Sequence, residues 1–378
     1  YMIAFFAVFY VFIYSIMQRY SLKRTVGKGA GLGGMGILGV LIGGVALVPI
    51  ADTFLESARA GVLAAKGTSH LLSPYKGKTL GTIVARFFSN HMLGIDKDYT
   101  GYLNYYEGMI LAVSILTVFA VSYFIVKKST RVKALVLTAF LVFLTIMPLT
   151  SRILVFTKHS YRWTFMICFV EALVIGCFLQ DVFREKNRKT VLAGSILAII
   201  ICGGLLAWMY SFKNIKPDHK VTAGVIGFLA VYLILFAVGT SVKKMYRIFP
   251  AAVLLVLICE LFVLDYPSLW HRESPTRNQV ATEYYNDGTK EAVAMLKEQD
   301  DSVYRIEKSY TSASENDGMS QGYNGLSVYM STNPASLVAY HKMYGPETLS
   351  GNFVDFNMDD YIRSSLLGTK YLITGTGY

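Results

Sequence analysis

Eight apolar stretches along the first 266 residues constrain this chain more than any other feature of its sequence. A helix needs about 20 mostly apolar residues to cross a lipid bilayer, and each stretch is close to that length. Hydrophobic residues make up 53% of the chain and charged residues only 16%, which is typical of a protein with lipid around it. We predict spans at about 1–18, 30–50, 108–126, 134–151, 163–180, 190–210, 221–242 and 248–266. The expected fold is a polytopic α-helical membrane protein with a transmembrane domain at 1–266.

The lysines and arginines of the short loops predict how these spans are oriented, because positive residues resist translocation. Four short loops collect 15 of them, namely Arg19, Lys23, Arg24, Lys28, Lys127, Lys128, Arg131, Lys133, Arg184, Lys186, Arg188, Lys189, Lys243, Lys244 and Arg247. The short loops 151–162 and 211–220 hold three each. We therefore expect the four basic loops on the cytoplasmic side, and the loop 51–107 and everything after residue 266 on the extracytoplasmic side.

The formal net charge of +11 does not indicate nucleic-acid binding. Residues 1–266 carry a net charge of +16 and residues 267–378 carry −5, so the basic excess belongs to the loops between spans. The basic residues do not collect on one soluble face, as nucleic-acid binding would need. Anionic lipid headgroups are the partners that this pattern predicts.

Residues 267–378 form a second region, which is acidic, rich in turns and mixed in periodicity. We predict an extracytoplasmic α+β domain here, with a helix at Thr289–Gln299, strands at Ser302–Tyr310 and Lys370–Thr374, and a helix start at Asn333 and Pro334. Its tyrosines suit either carbohydrate stacking or a small core, and they are Tyr284, Tyr285, Tyr304, Tyr310, Tyr323, Tyr329, Tyr340 and Tyr344.

Two other segments are distinctive. In the long loop 51–107, apolar residues from Leu80 to His91 recur at helical spacing, which predicts an amphipathic helix that either packs on its own bundle or covers a lipid-linked substrate. The second span is crowded with glycines, which predicts close packing of helices.

Because Tyr1 opens inside an apolar stretch without an initiator methionine, we also expect the protein to continue beyond this sequence.

The turn between the fourth and fifth spans is the strongest candidate for binding. It combines cationic and aromatic side chains, namely Arg152, Lys158, His159, Tyr161, Arg162 and Trp163. Guanidinium groups suit a polyprenyl phosphate or diphosphate, because they bind phosphate oxygens bidentately. The alternative is an aromatic belt at the membrane interface with snorkelling arginines.

Charged residues inside predicted spans are costly and therefore also candidates. Glu171 and Glu260 lie there, and each could pair with an arginine or handle substrate or protons. In the long loop, Arg59 follows two carboxylates, Asp52 and Glu56, and is a further candidate for substrate binding. No spacing of Cys, His, Asp or Glu predicts a metal site, and no motif alone identifies a reaction.

Several strings resemble the YfhO family of bacterial membrane proteins. They are SYRW (Ser160–Trp163), the segments Tyr285–Tyr310 and Ser314–Ser331, and LLGTKYLIT (Leu366–Thr374). The resemblance implies a GT-C-like glycosyltransferase in the bacterial plasma membrane. Its substrates would be a polyprenyl-phosphate sugar donor and a cell-wall glycopolymer acceptor such as lipoteichoic acid.

The resemblance also implies that a catalytic carboxylate lies in the first outer loop, which we expect upstream of Tyr1. The catalytic residues in this chain are therefore unknown. The cofactor is likewise unknown, and the resemblance allows a divalent metal in the full-length protein. Two other functions remain open from the sequence: a transporter or lipid flippase that uses Glu171 and Glu260, and a non-catalytic protein of cell-envelope assembly.

Overall fold

A computed structural model describes residues 7, 10–11, 14–15, 21–58, 72–102, 114–155, 161–185, 187–241, 248–267, 274–312, 316–330, 332–344, 353–354 and 361–375. The chain forms two compact units. Unit 1 comprises residues 1–37 and 68–272, and unit 2 comprises residues 38–67 and 273–378. Residues 38–67 thus group with the C-terminal part of the chain, and the domain boundary at residue 266 stays a prediction.

Ten helices lie within the described parts of residues 21–267. They are α1 (Leu22–Ile42), α2 (Gly44–Leu55), α3 (Gly77–Phe88), α4 (Leu116–Val126), α5 (Arg131–Ile146), α6 (Pro148–Val155), α7 (Phe165–Glu185), α8 (Arg188–Ser211), α9 (His219–Gly239) and α10 (Phe249–Leu264). Among the described residues, four helical stretches are long and apolar enough to cross a membrane: Lys23–Ile42, Phe165–Arg184, Arg188–Ser211 and His219–Gly239. The bent pair α5 and α6 makes a fifth if it is one span.

Eight spans are therefore not confirmed. The predicted span 134–151 is broken by a bend of 77° between α5 and α6. Pro148 lacks the N–H that would continue the helix, and its ring disfavours a helical residue before it. The apolar sequence is therefore continuous across residue 148, but the helix is not. The predicted span 30–50 is divided between α1 and α2, and α4 and α10 are shorter apolar helices of 11 and 16 residues. Most of the predicted span 1–18 lies outside the described residues.

The core of unit 1 is a bundle in which α4 packs against α7 and α8, and α10 packs against α9. It includes a group of buried aromatic rings from four helices, namely Phe119, Tyr123, Phe178, Tyr232, Phe236 and Phe249. The rings of Tyr123 and Phe178 lie 5.2 Å apart, and those of Phe178 and Phe236 lie 5.3 Å apart. These separations fall in the range of favourable aromatic contacts, so the rings fix how the helices face one another.

Two helices of unit 1 approach each other closely at Gly194 of α8. A Cβ atom added to this glycine would lie 2.8 Å from the Cα of Tyr123 on α4. By contrast, no described atom lies within 4 Å of a Cβ placed on most glycines of α1, including Gly31, Gly33 and Gly36. The tight packing predicted for the glycine-rich span is therefore absent among the described residues, and it occurs instead between α4 and α8.

We predict that Gly194→Ala lowers the free energy of unfolding by about 1–3 kcal/mol, because the added methyl group meets backbone that cannot move aside without separating the helices. The measurement is the thermal unfolding midpoint of the full chain in detergent. Gly203→Ala, on an open face of the same helix, is the matched control and should leave the midpoint unchanged or raise it slightly. Equal midpoints for the two variants would contradict the close approach.

The loop segment 72–102 contacts the ends of several helices on one side of the bundle. The backbone N–H of Tyr75 donates to Ile146 O at 3.0 Å at the end of α5, and that of Asp218 donates to Met92 O at 2.8 Å at the start of α9. At the opposite ends, Lys127 Nζ lies 2.8 Å from Asp181 Oδ2 and joins α4 to α7. The end of α5 and the start of α9 thus lie on the side of loop 72–102, and the ends of α4 and α7 lie on the opposite side. This is the arrangement expected if successive helices run in alternating directions.

The helix predicted in the long loop is present as α3. Residues on all its sides are buried, among them Thr79, Ile83, Ala85 and Phe88, so α3 packs within unit 1. Gly81 faces the ring of Phe212 and has no room for a larger side chain. Of the two alternatives left open by the sequence, this packing agrees with a helix held against its own bundle.

The described residues of unit 2 form short helices and two small sheets. Its elements from residue 273 onward are α11 (Arg277–Thr282), α12 (Thr289–Gln299), β1 (Arg305–Lys308), α13 (Asp317–Gln321), β2 (Val328–Tyr329), α14 (Ala335–Tyr344), β3 (Phe353–Val354), α15 (Tyr361–Leu366) and β4 (Thr369–Ile373). Strands β1 and β4 are parallel, and β2 and β3 are antiparallel. The helix predicted at Thr289–Gln299 is confirmed. Strand β1 lies within the predicted strand Ser302–Tyr310, and β4 overlaps the predicted strand Lys370–Thr374.

A buried ion pair lies at the centre of unit 2. Lys308 Nζ is 2.8 Å from Asp317 Oδ2, and the two side chains are 3% and 6% exposed. The same ammonium donates to Gln321 Oε1 at 3.0 Å and to Ser312 Oγ, and it lies 4.5 Å from the centre of the Tyr310 ring. One lysine thus joins β1 to α13 and to the loop between them.

Candidate functional site

The two candidate arginines Arg152 and Arg162 lie beside a hydrogen bond that joins α6 to the start of α7. In this bond Trp163 Nε1 donates to Ser151 Oγ at 3.2 Å. Each arginine is the sequence neighbour of one bonded residue, so the bond holds both at the same end of the bundle. We call these four residues together with Tyr161 the arginine site.

The exposure of side chains alternates through this turn. Tyr161 and Trp163 are each 1% exposed, whereas Arg162 between them is exposed to solvent. Arg152 is half-buried. The aromatic residues therefore anchor the turn, and Arg162 between them is its exposed residue.

Behind the arginines lies a small aromatic core. The rings of Tyr161 and Trp163 are stacked with centres 6.2 Å apart, and Tyr75 lies 6.2 Å from Tyr161 on the other side. Tyr161 and Trp163 were predicted either to bind substrate or to form an interfacial belt. The structure places both in the interior of unit 1, so within this site the arginines are the groups with access to a ligand.

The break between α5 and α6 supports the same turn. The last carbonyl groups of a helix have no partner within it. Here Tyr161 Oη donates to Thr145 O at 3.0 Å, and the Tyr75 N–H donates to Ile146 O at 3.0 Å. The end of α5 is thus satisfied by the same two tyrosines that pack behind Arg162.

Two other predicted binding residues, His159 and Arg59, lie outside the described residues. Within unit 1, the structure thus brings together Arg152, Tyr161, Arg162 and Trp163. Lys158 also falls outside the described residues.

Glu260 on α10 is 2% exposed and accepts three hydrogen bonds. Its Oε2 accepts from Ser114 Oγ at 2.5 Å and from Tyr232 Oη at 2.7 Å, and its Oε1 accepts from the Ile115 N–H at 2.6 Å. These bonds lie at the N-terminus of α4, whose first N–H groups need acceptors. Among the described residues Glu260 thus caps a helix, instead of pairing with an arginine as one of the sequence alternatives expected.

Glu171 on α7 is also buried, one turn after Cys168. It lies on the helix that begins just after the arginine site. The structure therefore places both glutamates of the predicted spans in the interior of unit 1.

A polar junction that the sequence did not single out lies where α3 ends beside the end of α10. Ser89 Oγ donates to Leu264 O and lies 3.1 Å from His91 Nδ1. Arg86, in the last turn of α3, is 0% exposed. The available signal was a helix that carries an arginine and is followed by Ser-Asn-His in an otherwise apolar setting. Only the fold shows that Ser89 reaches the end of α10.

No group of three or more His, Cys, Asp and Glu side chains with metal-binding geometry occurs among the described residues. The four cysteines are free. No residue in the described ranges can therefore be named as a ligand of the divalent metal that the family resemblance allows.

Comparison with known proteins gives one result. No curated protein and no solved structure matches the chain. A protein-family model described as bacterial membrane protein YfhO matches residues 1–377. A membrane-embedded protein agrees with the long apolar helices of unit 1. Because the match covers the whole chain but its last residue, the chain belongs to the YfhO family of bacterial membrane proteins.

Proposed function

We propose that this chain acts as a membrane glycosyltransferase. It would move a sugar from a polyprenyl-phosphate donor to a cell-wall polymer such as lipoteichoic acid on the outer face of the plasma membrane. The observation that carries the proposal is the arginine site, in which an anchored turn presents Arg162 to solvent beside the half-buried Arg152.

The chemistry of this transfer needs positive charge near the donor phosphate. An acceptor hydroxyl oxygen attacks the anomeric carbon and gives its proton to a carboxylate base. The bond between that carbon and the phosphate oxygen breaks, and its electron pair leaves with the polyprenyl phosphate. Charge therefore develops on the phosphate, where fixed guanidinium donors stabilise the transition state.

The position of the arginine site suits a donor that is itself a lipid. Arg162 lies three residues before α7, which is long and apolar enough to span a membrane. A phosphate bound there would keep its polyprenyl chain beside the apolar helices. The positive-inside pattern assigns this end of α7 to the extracytoplasmic side, where the polymer acceptor is found.

We predict that Arg162→Ala reduces sugar transfer by about 100-fold or more, as expected when a donor to developing charge is removed. Wall polymers from a host with and without the full-length gene would be compared by mass spectrometry, with wild type, Arg162→Ala or Arg162→Lys supplied in trans. Lysine keeps the charge but loses the bidentate fork, so Arg162→Lys should restore only part of the transfer.

Arg184→Ala is the matched control, because Arg184 is an exposed arginine at the opposite end of α7. It should restore transfer as wild type does. If deletion of the gene leaves the polymer mass unchanged, the chain is not a glycosyltransferase for that polymer, and transport or envelope assembly becomes the better hypothesis. If Arg162→Ala restores full transfer, the arginine site is not the donor site.

A further inference from the structure

Unit 2 contains a groove made of two adjoining cavities. The larger has a volume of about 630 Å³ and the smaller about 320 Å³. Four residues, Val303, Tyr304, Tyr323 and Asn324, line both cavities, so the two form one continuous depression. Both volumes lie in the range of natural ligand sites.

The walls of this groove are held by buried hydrogen bonds. Glu307 on β1 is 2% exposed, and its carboxylate accepts from the N–H groups of Leu326 and Ser327 and from Ser327 Oγ. The Ile306 N–H donates to Asn324 O at 2.9 Å. The loop that follows α13 is thus fixed to β1, and the groove exists without a ligand.

The turn at Gly322 adds to this rigidity. Gly322 has φ of +78°, a conformation that side-chain-bearing residues rarely adopt. The N–H of the next residue, Tyr323, then donates to Gly318 O at 3.0 Å. The turn directs the chain from α13 into the segment in which Tyr323 and Asn324 line the groove.

The chemistry of the lining mixes aromatic rings, amides and exposed apolar groups. In the larger cavity, Arg305 is the one charged side chain among the described lining residues, and the polar ones include Asn316, Asn324 and Ser327. At its rim Val303, Met319 and Leu366 are 101%, 83% and 79% exposed. Tyr304 keeps its hydroxyl buried, so its exposed part is ring and backbone.

These features select among ligand classes. A sugar ring has apolar C–H faces that stack on aromatic and aliphatic groups, and hydroxyls that pair with amides and carboxylates. Asp301 in the smaller cavity is a further acceptor for hydroxyls, whereas the neighbouring Asp300 is already bonded to Lys370 and Tyr371. Two cations, Arg305 and Lys297, line the groove, but Lys297 already donates to Gly322 O at 2.7 Å and Asp301 lines the same cavity, so a nucleotide or another polyphosphate would meet little net positive charge. The net charge of −5 on residues 267–378 also opposes a polyanion.

We propose that this groove binds a stretch of neutral sugar residues in a carbohydrate chain. The inference rests on the proposed function in one respect, since the carbohydrate would be part of the glycopolymer acceptor. The groove would then hold an acceptor by the sugars it carries, and not by a phosphate backbone.

The test is a binding experiment with the full chain in lipid nanodiscs and without any sugar donor. The probes are maltohexaose, cellohexaose and chitohexaose, together with a poly(glycerol phosphate) lipoteichoic acid from which sugars have been removed. Affinities are measured by calorimetry. At least one neutral hexasaccharide should bind, and the sugar-free polymer should not.

Two groove variants and their matched controls locate the binding. Tyr323→Ala and Asn324→Ala should each weaken binding by about tenfold, whereas Tyr323→Phe, which keeps the ring, should bind as wild type does. Tyr329→Ala, an exposed tyrosine outside the groove lining, should have no effect. Asn324 is itself exposed, so its variant tests the groove even if Tyr323→Ala fails to fold.

The proposal is overturned if none of the three hexasaccharides binds, if Asn324→Ala and Tyr323→Ala bind as wild type does, or if the sugar-free polymer binds equally well. Arg162→Ala separates this result from the proposed function. That variant should bind the hexasaccharide with unchanged affinity while transfer is lost. Binding without any transfer by wild type would support the groove and contradict the transferase.

Discussion

Replacing Lys308 by alanine is expected to destabilise unit 2 by about 3–5 kcal/mol, because it leaves buried negative charge without its partner. Asp317 would lose the ammonium at 2.8 Å, and Gln321 would lose the donor at 3.0 Å. Losses of this size are a large part of the total stability of an ordinary domain. We expect unit 2 to be unfolded in a substantial fraction of molecules.

Hydrogen exchange measured by mass spectrometry on the full chain in detergent checks this result. Peptides that cover β1 and α13 should exchange much faster in Lys308→Ala than in wild type, while peptides of α8 and α9 should not change. Lys290→Ala, which removes an exposed lysine of α12, is the control. If both lysine variants exchange as wild type does, the ion pair contributes no net stability.

The same network predicts how unit 2 responds to acid. Burial tends to raise the pKa of Asp287, but hydrogen bonds from Ser312 and Thr289 and the charge of Lys308 hold that pKa below its ordinary value. A carboxylate whose folded pKa is depressed stabilises the fold above its unfolded pKa, and this contribution is lost as the pH falls through the folded value. Protection of β1 should therefore decrease below about pH 4, near the ordinary pKa of aspartate.

The second large effect is expected at Glu260. Glu260→Ala should destabilise unit 1 by about 2–5 kcal/mol, because two hydroxyls and one backbone N–H lose their acceptor in the interior. Glu260→Gln keeps the size of the side chain but has only one oxygen acceptor, so its effect should be smaller. Tyr232→Phe removes a single bond and should cost about 1 kcal/mol.

The thermal unfolding midpoint in detergent should therefore be lowered least by Tyr232→Phe, more by Glu260→Gln and most by Glu260→Ala. Any transport that depends on a titrating Glu260 would give a different order, because Glu260→Gln would then abolish activity at unchanged stability. That outcome would replace the helix-capping role with a functional one.

The sequence was sufficient to predict helices whose stabilising interactions lie within one short segment. The helix α12 was predicted with its observed ends because its turn signals and apolar spacing lie within one segment. The helix in the long loop was predicted from spacing alone, and α3 covers most of it. The pairs of residues that fix helix ends, such as Glu260 with Ile115, are far apart in sequence and gave no local signal.

The eight predicted spans were confirmed only in part, for a related reason. Hydropathy averages over a window, so the segment 134–151 appeared continuous across Pro148, although the backbone bends there by 77°. The glycines of α1 predicted close packing, but whether a small residue meets a neighbour depends on the neighbour. In the candidate site, the residue types were identified from sequence, while the burial of Tyr161 and Trp163 on either side of an exposed Arg162 required the fold.

The broken helix also has a consequence for how the chain is made. Non-helical backbone at membrane depth is tolerated only where its polar groups are satisfied by protein or water. The carbonyls at the end of α5 take one donor from Tyr75, which the ribosome has already synthesised, and one from Tyr161, which follows later. The bend can therefore become fully satisfied only after the turn with Arg162 has emerged, so a nascent chain stopped before that turn should retain an open α5 end that quality-control proteases can recognise.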